Sequence, residues 1–154
     1  QIWYTQLTLT EVSFEESDPI SMPEAERTWE LFDSEGNIQN FAENKGKPIV
    51  VSFWASWCLY CKASFPDLAN LRYEFNDDIA FMAVTTEPLS VLQSEKEKYD
   101  YDFLYCSQYY PQFFEIKVFP TLVILDKEMN MVYKLEGGAD VNNEQNVKFL
   151  RELL

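Results

Sequence analysis

The sequence predicts an α/β fold in which a mixed β-sheet carries helices on both faces. Three observations support this: an apolar strand-like run, the alternation of strands and helices that follows it, and a last pair of strands closed by a helix. The 154 residues are enough for one domain with a hydrophobic core. Apolar residues make up 47% of the chain and aromatic residues 16%, which argues against disorder.

Residues 1–26 are interpreted as a lead-in arm before a domain that spans residues 27–154. Residues 1–10 alternate weakly, and the Asp18-Pro19 and Met22-Pro23 pairs interrupt regular structure, so we expect one short strand in the arm. The chain begins with glutamine, so we expect a processed chain or an engineered fragment that a targeting or anchoring segment could have preceded. No apolar run approaches the roughly 20 residues of a membrane span.

The domain begins with a predicted hairpin, in which residues 28–32 and 38–41 flank a turn. Residues 48–54 form a nearly unbroken apolar and β-branched run, which is typical of a strand buried on both faces. Helical spacing follows over residues 58–75. The later elements are predicted as strands at residues 79–84, 103–106, 121–125 and 131–135, and as helices at residues 89–99, 109–116 and 143–154.

The Cys58-Leu59-Tyr60-Cys61 motif lies where the apolar strand passes into this helix. The spacing brings two sulfurs within disulfide reach, and the unpaired N–H groups of a helix start stabilise a thiolate. Such positions lower a thiol pKa from about 8.5 to about 3.5–7.5. We therefore expect Cys58 to be the exposed nucleophile and Cys61 to resolve the mixed disulfide. The alternatives are half of a metal site or two ordinary buried cysteines, but a CxxC between strand and helix favours redox chemistry.

Composition argues against several other functions. The chain has no histidine and three cysteines, so histidine-based metal sites, histidine bases and a four-cysteine zinc site are excluded. No metal and no cofactor are predicted. The net charge of −14 disfavours nucleic acid and anionic membrane surfaces as partners. The expected partners are protein thiols and disulfides, together with a membrane or soluble electron donor.

The segment Val51-Ser-Phe-Trp-Ala-Ser-Trp-Cys-Leu-Tyr-Cys-Lys-Ala-Ser-Phe-Pro66 closely resembles the active-site segment of thioredoxins, above all the extracytoplasmic TlpA/ResA type. The resemblance extends over residues 28–154, and the elements around residues 88–106 match the central helix–strand insertion of that family. It implies a thioredoxin-like fold and a thiol–disulfide oxidoreductase activity. It also implies a periplasmic protein, or a membrane-anchored one that faces the periplasm.

The resemblance further implies roles for residues around the cysteine pair. Trp57 belongs to the catalytic motif, and Pro120 is the cis proline that faces the pair; the alternative is an ordinary trans proline at the start of a strand. A cis proline there would leave backbone groups free to pair with an extended substrate. Substrate contacts are therefore expected at Tyr60, Val118, Phe119 and Thr121.

Two departures from the family pattern concern proton transfer. Many thioredoxins have a buried Asp six residues before the first cysteine, and some ResA-type proteins have a Glu six residues after it; this chain has Ser52 and Ser64 there. Glu87 is the nearest alternative carboxylate, although a surface glutamate is the simpler interpretation. Ser52, Ser64 and Glu87 are the candidate proton relay. Cys106 is interpreted as a buried strand thiol, with a third redox thiol as the alternative.

The sequence leaves two principal functions open. The first is a monomeric enzyme that reduces or exchanges disulfides in exported proteins, and the second is a binding module with little or no turnover. The missing carboxylates allow the second, whereas the intact cysteine pair favours the first. A peroxidase needs a Thr where this chain has Ala55, and a copper chaperone needs a histidine. Potentials on this fold run from about −270 to −120 mV, so the sequence does not set the redox direction.

Overall fold

The computed structural model describes residues 9–154, and the described part of the arm contains one short strand, as expected. The described part contains eight strands and four α-helices. The strands are β1 Ile20–Ser21, β2 Glu30–Phe32, β3 Ile38–Asn40, β4 Ile49–Phe53, β5 Ala80–Thr85, β6 Leu104–Cys106, β7 Thr121–Leu125 and β8 Asn130–Glu136. The helices are α1 Glu24–Arg27, α2 Leu59–Tyr73, α3 Leu89–Tyr99 and α4 Glu144–Arg151, with short 3-10 helices at Phe41–Asn44 and Gln112–Phe114.

The strands form one mixed sheet in the order β1-β8-β7-β4-β5-β6-β2-β3. Strand β4 lies near its centre, parallel to β5 and antiparallel to β7, and all five of its residues are buried. This confirms the strand predicted from the apolar run. Phe53 at the end of β4 pairs with Thr121 at the start of β7. The segment after β4 and the segment before β7 therefore lie side by side at the same end of these two strands.

Side chains alternate along the strands and fill two cores on opposite faces of the sheet. Val50 belongs to the core that also contains Phe65 of α2, Leu92 of α3 and Leu150 of α4. Its neighbour Val51 belongs to the second core, to which the two 3-10 helices contribute. Helices thus lie on both faces as predicted, although the three long ones share one face.

The predicted helix over residues 109–116 is the clearest difference from the sequence analysis. The structure has only the 3-10 helix Gln112–Phe114 there. Pro111 precedes it and has no N–H to donate, and Glu115 adopts the left-handed conformation with φ of 47°, which ends the helix. The residues that follow are consequently extended and lead to β7.

The described part of the arm packs against the domain. Phe14 and Met22 are buried, one in each core. The N–H of Phe14 donates to Oδ1 of Asn146 in α4 over 2.7 Å, and β1 pairs with β8 and forms one edge of the sheet. The arm therefore supplies side chains to both cores. None of the helices in residues 9–154 is long and apolar enough to cross a membrane.

Candidate active site

Cys58 and Cys61 form a disulfide at the start of α2, with their Cα atoms 5.3 Å apart. Cys58 is the N-cap residue of this helix, and its backbone is still extended, as in the loop that follows β4. Its Sγ accepts a hydrogen bond of 3.2 Å from the N–H of Cys61. N–H groups in the first turn of a helix lack carbonyl partners within that helix. The Cys58 sulfur therefore lies where backbone donors and the helix dipole stabilise negative charge.

The two cysteines differ in their access to solvent. Cys58 is 7% exposed and Cys61 is fully buried. The order agrees with the roles predicted for them, but Cys58 is far less exposed than we expected. Its sulfur is bonded to that of the buried Cys61 and accepts a hydrogen bond from the Cys61 N–H. An incoming partner must therefore reach Cys58 through the surface that surrounds it.

That surface is apolar and largely exposed. Trp57 is 70% exposed, and its ring packs edge-on against Phe119 with the centroids 5.8 Å apart. Tyr60 and Val118 are also exposed. A Cβ atom on Gly138 would lie 3.1 Å from Cβ of Tyr60, so the glycine leaves the space that the tyrosine needs. This contact was not predicted from the sequence, although a Gly137-Gly138 pair is a typical sign of close backbone approach.

The peptide bond between Phe119 and Pro120 is cis, as the resemblance implied. The carbonyl of Val118 accepts a 2.7 Å hydrogen bond from Oγ1 of Thr121, which is fully buried. The Thr121 side chain therefore fixes the backbone of Val118 and does not lie on the surface that a substrate could contact. Val118 and Phe119 precede the first paired residue of β7, so their backbone groups lie outside the sheet pairing.

Ser52 and Ser64 line the same small cavity, with a volume of about 20 Å³, next to Pro120 and Gly137. Ser52 is buried in β4, and Oγ of Ser64 donates a 2.6 Å hydrogen bond to the carbonyl of Cys61. A cavity of this size has room for one water molecule, which needs about 10–15 Å³. Two of the three candidate relay residues are therefore brought together on the β7 side of the cysteine pair.

Glu87 lies elsewhere, on the β5 side of the site. Its carboxylate accepts hydrogen bonds from the N–H and the hydroxyl of Ser56, at 2.7 and 2.6 Å, and from the hydroxyl of Thr85 at 3.0 Å. Glu87 is thus half-buried and holds the loop that carries Trp57 and Cys58. Ser56 could not be identified from the sequence, because it lies 31 residues away from its partner.

Tyr110 is a second group that the sequence analysis did not single out for the site. Its hydroxyl lies 3.3 Å from the carbonyl of Val84 and 3.5 Å from that of Trp54, below the same loop. Burial raises the pKa of Tyr110 to about 12, even though hydrogen bonds with Thr86 lower it. The phenol is therefore neutral at physiological pH and acts as a hydrogen-bond donor.

An ion pair links the active-site helix to α3. Nζ of Lys62, the residue after Cys61, lies 2.9 Å from Oε1 of Glu95, and the two side chains are only 14% and 5% exposed. Oε2 of Glu95 is buried without a hydrogen-bond partner among residues 9–154. The residues that form the helix–strand insertion thus anchor the first turn of α2.

Cys106 is a free cysteine, buried in β6. Burial raises the pKa of its thiol, which disfavours the reactive thiolate. Within residues 9–154, no group of three or more cysteine or acidic side chains is arranged to hold a metal ion.

Comparison with known proteins gives consistent matches. The sequence matches the AhpC/TSA family over residues 22–134. The thioredoxin-like protein YneN of Bacillus subtilis is 28% identical over 121 residues, which cover 73% of this chain and 69% of YneN. The thiol:disulfide interchange protein TxlA homolog of Synechocystis is 35% identical over 46 residues, 30% of this chain and 26% of that protein.

A solved structure shares the fold. The exposed lipoprotein thioredoxin Etrx1 of Streptococcus pneumoniae strain TIGR4 superposes with a TM-score of 0.64 and 26% identity. The superposition covers 81% of this chain and 96% of Etrx1. The match therefore extends over nearly the whole of that thioredoxin and confirms the thioredoxin-like architecture.

Proposed function

The chain belongs to the AhpC/TSA family and is a thioredoxin-fold thiol–disulfide oxidoreductase, and we propose that it reduces or exchanges disulfides in exported proteins. The observation that carries this proposal is the Cys58–Cys61 disulfide at the first turn of α2. Ala55, three residues before Cys58, has no hydroxyl to assist peroxide reduction. Disulfides are therefore favoured over peroxides as substrates of this family member.

The reaction starts from the reduced pair. The thiolate of Cys58 attacks one sulfur of a substrate disulfide, which forms a mixed disulfide and releases the other substrate sulfur as a thiolate that takes up a proton. Cys61 then loses its proton and attacks Sγ of Cys58. The enzyme disulfide forms, the second substrate thiol leaves, and two electrons have passed to the substrate. A dithiol donor, either membrane-bound or soluble, returns two electrons and two protons to the pair.

The proton of Cys61 leaves through neutral groups in this proposal. Ser64 contacts the carbonyl of Cys61, and Ser52 lies across the same 20 Å³ cavity. A hydroxyl can pass a proton on to water but cannot store it at neutral pH. Glu87 supports the reaction differently, because both of its carboxylate oxygens accept hydrogen bonds from Ser56 in the loop before Cys58.

We place this activity outside the cytoplasm, in a monomer that is periplasmic or anchored so that it faces the periplasm. The similarity to Etrx1, which is described as an exposed lipoprotein, supports the location. A monomer suffices because one chain supplies Cys58, Cys61 and the Val118–Pro120 segment.

The roles of the cysteines can be tested by insulin-disulfide reduction with dithiothreitol as the electron source. Cys58→Ser should abolish the catalysed rate, and Cys61→Ser should accumulate mixed disulfides through Cys58, visible by mass spectrometry. Cys106→Ser is the matched control and should keep the rate. Normal turnover of Cys61→Ser would refute the assigned roles. A wild-type pair that thiol-trapping mass measurements never find reduced, even with a mild reductant, would instead support a binding module.

A further inference from the structure

A large acidic groove lies on the surface between the arm and β8. Its volume is about 730 Å³, and four glutamates line it: Glu15, Glu16, Glu26 and Glu115. Apolar side chains line the same groove, among them the exposed Ile20 of β1 and the partly buried Phe113. The groove therefore combines an apolar lining with an excess of negative charge, and we call it the acidic groove.

The charges of this groove are largely uncompensated. None of its four glutamates takes part in an ion pair within residues 9–154. Lys134 is the only cationic side chain among residues 9–154 that lines the groove, and its Nζ donates to the backbone carbonyls of Phe114 and Glu115, at 2.8 and 3.0 Å. One ammonium group thus faces four carboxylates, and a positively charged occupant would restore the balance.

The groove is connected to the redox site by a short length of chain. Glu115 lines the groove, and Val118, three residues later, lies on the apolar surface beside the cysteine pair. Three extended residues span about 10 Å at most. One extended polypeptide could therefore contact the acidic groove and the Cys58 surface at the same time.

Part of the groove wall lies outside the region that the family model matches. The AhpC/TSA match begins at residue 22, whereas Glu15, Glu16 and Ile20 belong to the arm before it. Two of the four glutamates that line the groove therefore belong to a segment that precedes the AhpC/TSA match.

We propose that the acidic groove binds a lysine- or arginine-rich extended segment of the substrate protein. The enzyme would then prefer disulfides that have a basic stretch a few residues from the reactive cysteine. This inference rests on the proposed function for its substrate, but the binding itself does not require the redox step. Complementary charge raises association rates and suppresses wrong partners, so the effect should fall as salt rises.

Binding can be measured by fluorescence anisotropy with a labelled lysine-rich peptide that contains no cysteine. The test variant is the double substitution Glu15→Lys and Glu16→Lys. The control is Asp77→Lys with Glu97→Lys, which changes the net charge equally at exposed positions in the α2–β5 turn and in α3. We expect the test variant to bind about tenfold more weakly at low salt, and the control to change by less than about threefold.

Equal weakening in both variants would show a net-charge effect only and would overturn the proposal. So would equal binding of a glutamate-rich peptide, or a wild-type dimer that the Glu15→Lys and Glu16→Lys changes dissociate. A second measurement separates this proposal from the proposed function. All variants should reduce a small neutral disulfide at the wild-type rate; if the wild type fails to do so while the peptide still binds, the redox assignment fails and the groove assignment stands.

Discussion

Replacing Lys62 by methionine would remove one half of the buried ion pair that joins the active-site helix to α3. Methionine keeps most of the side-chain volume, so the main change is the loss of the ammonium group 2.9 Å from Oε1 of Glu95. Glu95 is 5% exposed, and its other oxygen already lacks a partner among the described residues. Breaking a buried pair by removing one partner costs about 3–5 kcal/mol. Because Lys62 is partly exposed, we expect Lys62→Met to lower the free energy of unfolding by about 3 kcal/mol, the lower end of this range.

The reverse change, Glu95→Gln, should cost less. Lys62 is 14% exposed, and its long side chain can carry the charge to water, so we expect a loss of about 1 kcal/mol. The double variant Lys62→Met with Glu95→Leu should be more stable than Lys62→Met alone, because no buried charge is left without a partner.

Urea denaturation and calorimetry of the oxidised protein would measure these changes. For 154 residues the entropy of unfolding is about 0.32 kcal/mol per kelvin, so a loss of 3 kcal/mol lowers Tm by about 9 °C. Lys148→Met is the control, since its Nζ lies 4.0 Å from Glu152 and both side chains are mostly exposed. It should cost less than about 0.5 kcal/mol. If Lys62→Met lost no more than Lys148→Met, the interpretation of the α2–α3 pair as an anchor would be wrong.

Three further predictions concern single groups. Cys106→Ser should keep most of the turnover, and a tenfold loss of turnover with the fold intact would make Cys106 a redox thiol. In the wild type, iodoacetamide should label Cys106 much faster in urea than in the native state, since burial raises the pKa of the thiol. Burial raises the pKa of Tyr110 from 10.0 to about 12 in the folded protein. Its neutral phenol therefore contributes at most about 2 kcal/mol, after solvent screening, to the free energy of unfolding below pH 10, and this contribution is lost as the pH rises to 12. Between pH 10 and 12, the urea midpoint of Tyr110→Phe should therefore fall less steeply with pH than that of the wild type. An equal fall in both proteins would contradict this prediction. The rate at which the wild-type Cys58–Cys61 dithiol is oxidised should keep rising with pH toward 8.5, whereas Ser64→Glu should speed the resolving step near neutral pH. A wild-type rate profile that titrates below pH 7 would exclude the hydroxyl relay.

The elements that the sequence predicted well are those whose pattern is set locally. The apolar run forms β4, and the charged amphipathic stretch forms α3 with the predicted ends. The two segments that flank the turn at residues 33–37 pair as the β2–β3 hairpin. The agreement is complete for β4, whose five residues are all buried, whereas Ile38 at the start of β3 is exposed. Residues 109–116 differ, since their aromatic side chains have helical spacing but face the core from an irregular segment that Pro111 and Glu115 keep short.

The site was predictable only in part, for a related reason. The cysteine pair and Pro120 belong to short motifs that can be identified without knowing the fold. The contacts of Glu87 with Ser56 and of Lys62 with Glu95 join residues 31 and 33 positions apart, and they depend on how β5 and α3 pack against the start of α2. Neither partner has a sequence pattern that distinguishes it from an ordinary polar surface residue.

The two sides of the cysteine pair differ in a way that bears on both steps of the reaction. On the β5 side, the Glu87 carboxylate accepts three hydrogen bonds from Ser56 and Thr85 and so orders the loop before Cys58. On the β7 side, the neutral hydroxyl of Ser64 donates to the backbone carbonyl of Cys61 and lines one small cavity together with Ser52. Attack by Cys58 is therefore supported by fixed backbone donors, whereas we propose that the proton of Cys61 leaves through hydroxyl groups and water. On this proposal, both steps depend on pH through their thiolates, and the resolving step depends on it more strongly.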